Sequence, residues 1–456
     1  MSRLVVVSNR LSVPGSQAAG GLAVALQAAL AERGGLWFGW SGRTVAASDG
    51  QLHRQQAGNI TYLTMDLDKK DLDAYYNGFA NRTLWPLLHF RLDLVDYDRA
   101  TRAGYDRVNA QFAHALAPQL RDDDTVWIHD YHLIPLAALL RQHGVACRIG
   151  FFLHVPVPSA DLLHALPDHQ QLFTQLYACD LVGFQTRRDS ERFLSYVRLF
   201  GGATADAQGR VTLPDGRTLQ VDAFPISIDT AQVERQAAEA VGKTAVKALR
   251  TSVQPRQLAI GVDRLDYSKG LPERFMAFER LLDRHPDLKG QLTFLQIAPV
   301  SRGNVPQYRA LRAELEQQAG HINGTHARPD WTPLRYVNQN YGHGTLTGFY
   351  RLARIGLVTP LRDGMNLVAK EYLAAQDPAD PGVLVLSLLA GAADELDGAL
   401  LVNPYDLDGV ADAIARAATM PLAKRMERWH ALMDHLRKYD IHHWRNRFLQ
   451  ALEASG

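Results

Sequence analysis

The sequence predicts an α/β protein with two doubly wound, parallel-sheet domains facing a central cleft. Three observations predict this. Short, wholly apolar runs of strand length recur along the chain. A helix-period segment follows each run, and the alternation restarts in the second half. Runs of this kind belong to parallel strands covered on both faces. With 456 residues, 46% of them apolar and 21% charged, the chain can bury large cores.

Leu4–Ser8 reads as the first buried strand, and Ala23–Ala31 as the helix after Gly20-Gly21-Leu22. Thr125–His129 is the next strand, followed by a helix over Leu133–Gln142 that ends near Gly144. Arg148–His154 and Leu181–Gln185 are further strands. Residues 203–218, with their Pro214-Asp215-Gly216 turn, form a hairpin excursion. A polar helical segment over 226–251 separates the halves. Beyond it, Leu258–Val262, Leu292–Ile297, Ile355–Thr359 and Val383–Leu386 read as strands. Helices fall near 271–285, 306–319, 366–376 and 407–419, and one long helix runs from about Lys424 to Leu452. The expected division is 1–228, 229–430 and a C-terminal helix, 431–456, packing back on the first domain.

Lys plus Arg number 49 and Asp plus Glu 48, a net charge of 49 − 48 = +1. Such balance disfavours broad nucleic-acid or membrane binding. Two cysteines, Cys147 and Cys179, are too few for a disulfide framework or a four-thiolate zinc site, and both read as reduced packing residues. No apolar stretch approaches the ~18–20 residues of a membrane span, and no secretory signal is evident. A cytoplasmic protein is expected.

In open parallel sheets, ligands bind beyond the carboxyl ends of the strands. Those ends are unusually polar here. They carry Ser8-Asn9-Arg10, Asp130-Tyr131-His132, His154, Gln185-Thr186, the run Asp263–Gly270, Ser301-Arg302-Gly303 and Arg362-Asp363-Gly364-Met365-Asn366. One polar turn means little, but this recurrence marks a site. Gly20-Gly21-Leu22 lets a backbone approach a phosphate or sugar at a helix start, though its spacing matches neither the dinucleotide nor the Walker pattern and also suits a simple flexible loop. Arg264, Lys269 and Arg302 make a cation cluster suited to a diphosphate, with Asp263 and Asp266 available to neutralise Arg264. In the segment from Arg362 to Glu371, the first N–H groups of a helix can bind phosphate oxygens. Asp363 before that helix and Glu371 inside it can face one ligand, or be a capping Asp and an ordinary helical Glu. Tyr76 and Trp85 are platforms for a sugar ring or members of the core. His129, His132 and His154 lack acidic partners in a familiar ligand spacing, so no metal is expected. No nucleophile elbow or Ser/His/Asp triad is present.

Long ordered motifs add a resemblance. They are Leu4–Arg10, Gly34–Gly42, Trp127–Leu133, Gly150–His154, Arg264–Arg274 and Asp363–Glu371. With them the chain resembles the trehalose-6-phosphate synthase family of bacterial retaining glycosyltransferases, from Leu4 to its end. The resemblance implies the glycosyltransferase-B architecture of two Rossmann-like domains, an acceptor-binding first domain and a nucleotide-sugar-binding second one. It implies transfer of glucose from a nucleotide-glucose, UDP-glucose foremost, to C1 of glucose 6-phosphate, giving α,α-trehalose 6-phosphate. No metal and no cofactor are implied, and the acceptor would attack from the face of the leaving diphosphate.

Carried over to this sequence, Arg10, Tyr76, Asp130 and Arg302 would form the acceptor site, with Arg10 and Arg302 on the 6-phosphate. Gly20, Gly21, Arg264, Lys269, Tyr341 through its backbone, and Leu367, Val368, Ala369, Lys370 and Glu371 would hold the donor. Glu371 would take the ribose hydroxyls, Asp363 the donor glucose, and His154 would contact the donor sugar. Asp130, His154, Arg264, Lys269 and Asp363 form the implied catalytic set, and Trp85 and Val155 would select the α anomer. The run Tyr341-Gly342-His343-Gly344-Thr345 is glycine-rich where base recognition is expected, leaving UDP, GDP and ADP open. A homo-oligomer, dimer or tetramer, is expected. A transferase acting on cyclitols and a non-catalytic sugar-phosphate sensor are the alternatives.

Overall fold

A computed structural model describes residues 2–11, 21–48, 50–300 and 305–455. They form two compact units, residues 1–225 with 442–456 and residues 226–441. The first unit holds β1 (Leu4–Arg10), β2 (Gly35–Val45), β3 (Leu52–Ala57), β4 (Ile60–Asp68), β5 (Thr125–His129), β6 (Arg148–Phe152), β7 (Leu181–Phe184), β8 (Thr204–Ala205), β9 (Arg210–Thr212) and β10 (Thr218–Ala223). They make one ten-stranded sheet in the order β3-β4-β2-β1-β5-β6-β7-β10-β9-β8. Pairing is parallel from β4 to β10 and antiparallel at both edges. Val5–Val7 and Val126–Ile128 are wholly buried, as their unbroken apolar runs require.

The second unit holds β11 (Gln257–Val262), β12 (Leu292–Ile297), β13 (Leu334–Val337), β14 (Ile355–Val358), β15 (Val383–Ser387) and β16 (Leu400–Val402). Their order is β13-β12-β11-β14-β15-β16, and every pairing is parallel. Both units are therefore doubly wound and Rossmann-like. Strand order reverses between β1 and β5 in the first and between β11 and β14 in the second, which places a binding crevice at those carboxyl ends. The helix Leu271–Arg284 buries Phe275, Phe278 and Leu281 against Phe294 of β12. Each such side chain is worth about 1.5–3 kcal/mol.

Several expected elements shift. Ser8, Asn9 and Arg10 belong to β1 rather than following it, because β1 continues to pair with β2 across a register shift. The helix expected from Leu133 starts at Leu136, after a single turn over Tyr131–Leu133. The helix near 306–319 runs on to His326. The segment over 226–251 is two helices, Thr230–Ala240 and Thr244–Val253. The long terminal helix is also two, Leu422–Lys438 and Ile441–Ala454, broken at Tyr439 and Asp440. The chain divides after Pro225 where 228 was expected. It returns to the first unit from His442 rather than from 431, so Leu422–Lys438 packs in the second unit. Trp444, Phe448 and Leu452 of the returning helix are buried, with Phe448 stacked 4.6 Å from Trp127. Cys147 and Cys179 are free and buried, and burial pushes the Cys147 thiol up to about 11. Among the described residues no helix is long and apolar enough to cross a membrane.

Candidate active site

In the second unit, the loops after β11 and β14 meet. Arg274 has no side-chain exposure, and its guanidinium ties three strand ends together. It donates to Asp263 after β11 (2.6 Å), to Gln296 in β12 (2.9 Å) and to Thr359 after β14 (2.9 Å). It also donates to the Lys269 carbonyl at 3.2 Å. A Cβ on Gly261 would lie 2.7 Å from this guanidinium, so only glycine leaves it room. Asp263 is thus the partner of Arg274 rather than of Arg264, and Asp266 accepts from the Ser268 amide and the Tyr308 hydroxyl. The Arg264 side chain is exposed.

The Lys269 ammonium lies 2.6 Å from Asp363, and the Asn366 amide donates to the same carboxylate oxygen at 3.0 Å. Asn366, with φ of 83°, caps the helix Leu367–Ala374 by accepting from the Ala369 amide at 3.2 Å. The cap is therefore Asn366 and not Asp363. Helix geometry leaves the N–H groups of Leu367 and Val368 without intrahelical acceptors, and their partial positive charge suits a phosphate. The Lys370 ammonium is buried and bonds the Ile226 carbonyl (2.8 Å) and Glu395 (2.7 Å), so its side chain is held in the core and leaves only its backbone for a ligand. Glu371 turns to His343 at 3.4 Å, so the two carboxylates read together from the sequence have different partners. Tyr341 lies in the turn before the helix His343–Leu352, edge-on to Phe349.

In the first unit, Asp130 follows β5 at a φ of 77°, rarely adopted by residues other than glycine. It persists because the Asp130 amide donates to Phe152, its carbonyl accepts from Leu133, and its carboxylate accepts from the His154 amide at 3.2 Å. Tyr76 stacks on His132 with an interplanar angle of 14°. Tyr75, its neighbour in the π-helix Asp73–Leu84, donates to Asn9. Nothing in the sequence signals that π-helix, although such helices gather at functional sites. Arg10 is exposed, with its guanidinium over the Trp40 ring at 5.7 Å. Trp85 packs on His89 and Tyr131, and both Trp85 and Val155 are buried.

His154 sits in a relay. Gln185 approaches its Nδ1 at 3.3 Å, and its Nε2 lies 3.0 Å from His129 Nδ1. Burial pushes His154 down to about 3 and His129 well below its usual value, so both rings are neutral near pH 7. A Gln185 amide donating to Nδ1 assigns the His154 proton to Nε2 and the His129 proton to its own Nε2, which is buried with no acceptor among the described residues. Both ring nitrogens of His154 are therefore engaged within the protein.

Gly20 and Arg302 lie outside the described residues, and Gly21 opens the helix Gly21–Arg33. Among the described residues no group of three or more His, Cys, Asp or Glu is arranged to hold a metal ion. A cavity of about 520 Å³, lined by Arg250, Arg256, Arg351 and Arg354, lies at the amino ends of β11 and β14, at the opposite end of the sheet from these loops. Arg274 and His343 are the residues that sequence reasoning left without a role, and Asn366 was read only for its N–H at the helix start. Arg274 stands in the quoted run Arg264–Arg274, but nothing local shows that its guanidinium turns back to bind three strands.

Residues 3–454 match the family described as Glycosyltransferase family 20. A trehalose-6-phosphate synthase of Sinorhizobium fredii is 53% identical over 461 residues, covering 100% of this chain and 99% of that protein. A solved α,α-trehalose-phosphate synthase (UDP-forming) of Burkholderia xenovorans, in complex with glucose-6-phosphate, is 48% identical at a TM-score of 0.96. It covers 99% of this chain and 100% of its own. A solved Escherichia coli protein bound with UDP-2-fluoro glucose is 49% identical at a TM-score of 0.95, covering 99% of each chain.

Proposed function

The chain belongs to glycosyltransferase family 20, and on that premise we propose that it transfers glucose from UDP-glucose to C1 of glucose 6-phosphate, with retention, forming α,α-trehalose 6-phosphate and UDP. The observation that carries this reading is the Lys269–Asp363–Asn366 cluster beside an open helix N-terminus at the carboxyl ends of β11 and β14. An ammonium has three protons, so Lys269 can keep Asp363 and still donate to a phosphate oxygen. With Arg264 and the N–H groups of Leu367 and Val368, it stabilises the charge that develops on the departing diphosphate. Each charge-assisted hydrogen bond there is worth roughly 1.5–3 kcal/mol.

Arg10, Tyr76, Asp130 and Arg302 bind the acceptor, Arg10 and Arg302 through its phosphate. Glu371 accepts from the ribose, and Tyr341 meets the base through its backbone. Gly20 and Gly21 lie against the donor, and Trp85 and Val155 shape the acceptor pocket for one anomer. His154, its ring nitrogens engaged, reaches the donor sugar through its backbone carbonyl. Asp363 is held by an ammonium and an amide, which makes it a poor nucleophile. That favours attack from the leaving-group face, with the diphosphate oxygen taking the acceptor proton, over a glycosyl-enzyme intermediate. The enzyme's contribution is then position and fixed charge.

The test incubates the purified protein with UDP-, GDP- and ADP-glucose plus glucose 6-phosphate, with and without chelator, and identifies the disaccharide phosphate and its anomeric configuration. Formation of the α,α product from UDP-glucose, undiminished by chelator, is the expected result. Release of no nucleotide from any donor would revive the sensor, and turnover only with cyclitol substrates the other transferase.

A further inference from the structure

His343 opens the helix His343–Leu352, in the glycine-rich run beside the proposed base site. Its Nε2 faces Glu371 Oε1 at 3.4 Å, and its Nδ1 faces Gln236 Oε1 at 2.7 Å. A carboxylate and an amide carbonyl are both acceptors, so the arrangement suits a ring with a proton on each nitrogen, an imidazolium. Glu371 is only 12% exposed, and a partly buried carboxylate needs a counter-charge. We propose that His343 is a positioning residue of the donor site, held as a cation by Glu371 and Gln236, which orients the Glu371 carboxylate and cancels its charge toward a nucleoside diphosphate. This rests on the donor-site reading above.

Electrostatics explains why a cation is needed at that point. The donor carries two negative charges on its diphosphate, and Glu371, which is to hold its ribose, carries a third. Without His343 the carboxylate repels the ligand it has to bind. Among the described residues the cation paired with Glu371 is His343, and the Lys243 ammonium approaches the backbone of Gly344 next to it. Tyr350, a further titratable group in this field together with Asp263, is held neutral because burial pushes its phenol well above the usual range. On the helix Thr230–Ala240, the partner Gln236 carries no charge. The Glu371 hydrogen bond raises His343 above its ordinary value. The sign follows: the cation, and with it donor affinity, is fully present at lower pH and is lost as pH rises through the raised His343 value.

The experiment measures UDP-glucose binding by calorimetry without acceptor, from about pH 6 to about pH 8.5, a range in which its diphosphate diester does not titrate. Wild-type affinity should fall by about three- to tenfold across that range. His343→Gln should bind at the weaker level throughout. His343→Lys, with a fixed charge, should bind tightly throughout. The KM for glucose 6-phosphate should stay level in both variants, and His343→Lys should keep the wild-type melting temperature; a merely structural role would not confine the effect to the donor. Equal pH dependence in wild type and His343→Gln would overturn the proposal. Separately, the NMR titration midpoint of His343 should drop in Glu371→Gln; an unchanged midpoint overturns the pairing alone. If wild type binds no UDP-glucose while His343 still titrates high, the functional reading has failed and takes this role with it.

Discussion

Lys269 illustrates how much one side chain depends on its partners. Its side chain is 12% exposed and its ammonium lies 2.6 Å from Asp363, a carboxylate that Asn366 also holds. A surface ion pair contributes about 0–1 kcal/mol, but on the proposed function this one faces the leaving diphosphate, where a fixed cation acts on the transition state. Lys269→Ala should lower kcat by about 10²- to 10³-fold with saturating donor, while the melting temperature moves little. Steady-state kinetics and a thermal melt check both; unchanged kcat would remove Lys269 from the chemistry. Asp130 makes the complementary point. Its φ of 77° is stabilised by three hydrogen bonds from neighbouring segments, and the strained backbone fixes where its carboxylate points.

At the scale of elements, the ends of β11, β12 and β14 are joined by the fully buried guanidinium of Arg274, with Asp263, Gln296, Thr359 and the Lys269 carbonyl as its acceptors. Burial pushes the Asp263 carboxyl up against the pull of Arg274, so the pair is balanced only while the cation is present. Arg274→Met should destabilise the protein by about 3–5 kcal/mol, because it leaves a buried carboxylate uncompensated. Arg274→Met combined with Asp263→Asn should recover part of that. Chemical denaturation reads both, and a single variant as stable as wild type would contradict the joint. The same joint ties the Lys269 loop to the sheet, so the fold's packing sets the geometry of the candidate chemistry.

At the scale of the molecule, the chain leaves the first unit after Pro225 and completes it again only from His442. The helix Ile441–Ala454 brings Trp444, Phe448, Leu449 and Leu452, all at most 2% exposed, into the first unit's core. At about 1.5–3 kcal/mol each, those side chains amount to a large part of the roughly 5–15 kcal/mol that stabilises a typical domain. Deleting residues 442–456 should therefore abolish the first unit's calorimetric transition and leave the second unit's in place. Two intact transitions in the truncated protein would show that the core closes without that helix.

The sequence by itself determined the α/β class, the parallel sheets and the polar strand ends, because a strand buried on both faces must be apolar along its length and must give way to polar residues where it reaches solvent. Thr125–His129 and Leu292–Ile297 were readable to the residue for that reason. The family motifs named the same strand ends as candidate site positions. Tertiary structure alone decided which charges are partners. Asp263 turned to Arg274 and not to Arg264, Lys370 entered the core beside Glu395, and Glu371 turned to His343. The edge strands β3 and β13, the adjoining β4 and the π-helix that carries Tyr76 showed no clear period to read. Periodicity reports which face of an element is buried. The partner of a charge depends on distances between segments far apart in sequence, and only the packed chain sets those.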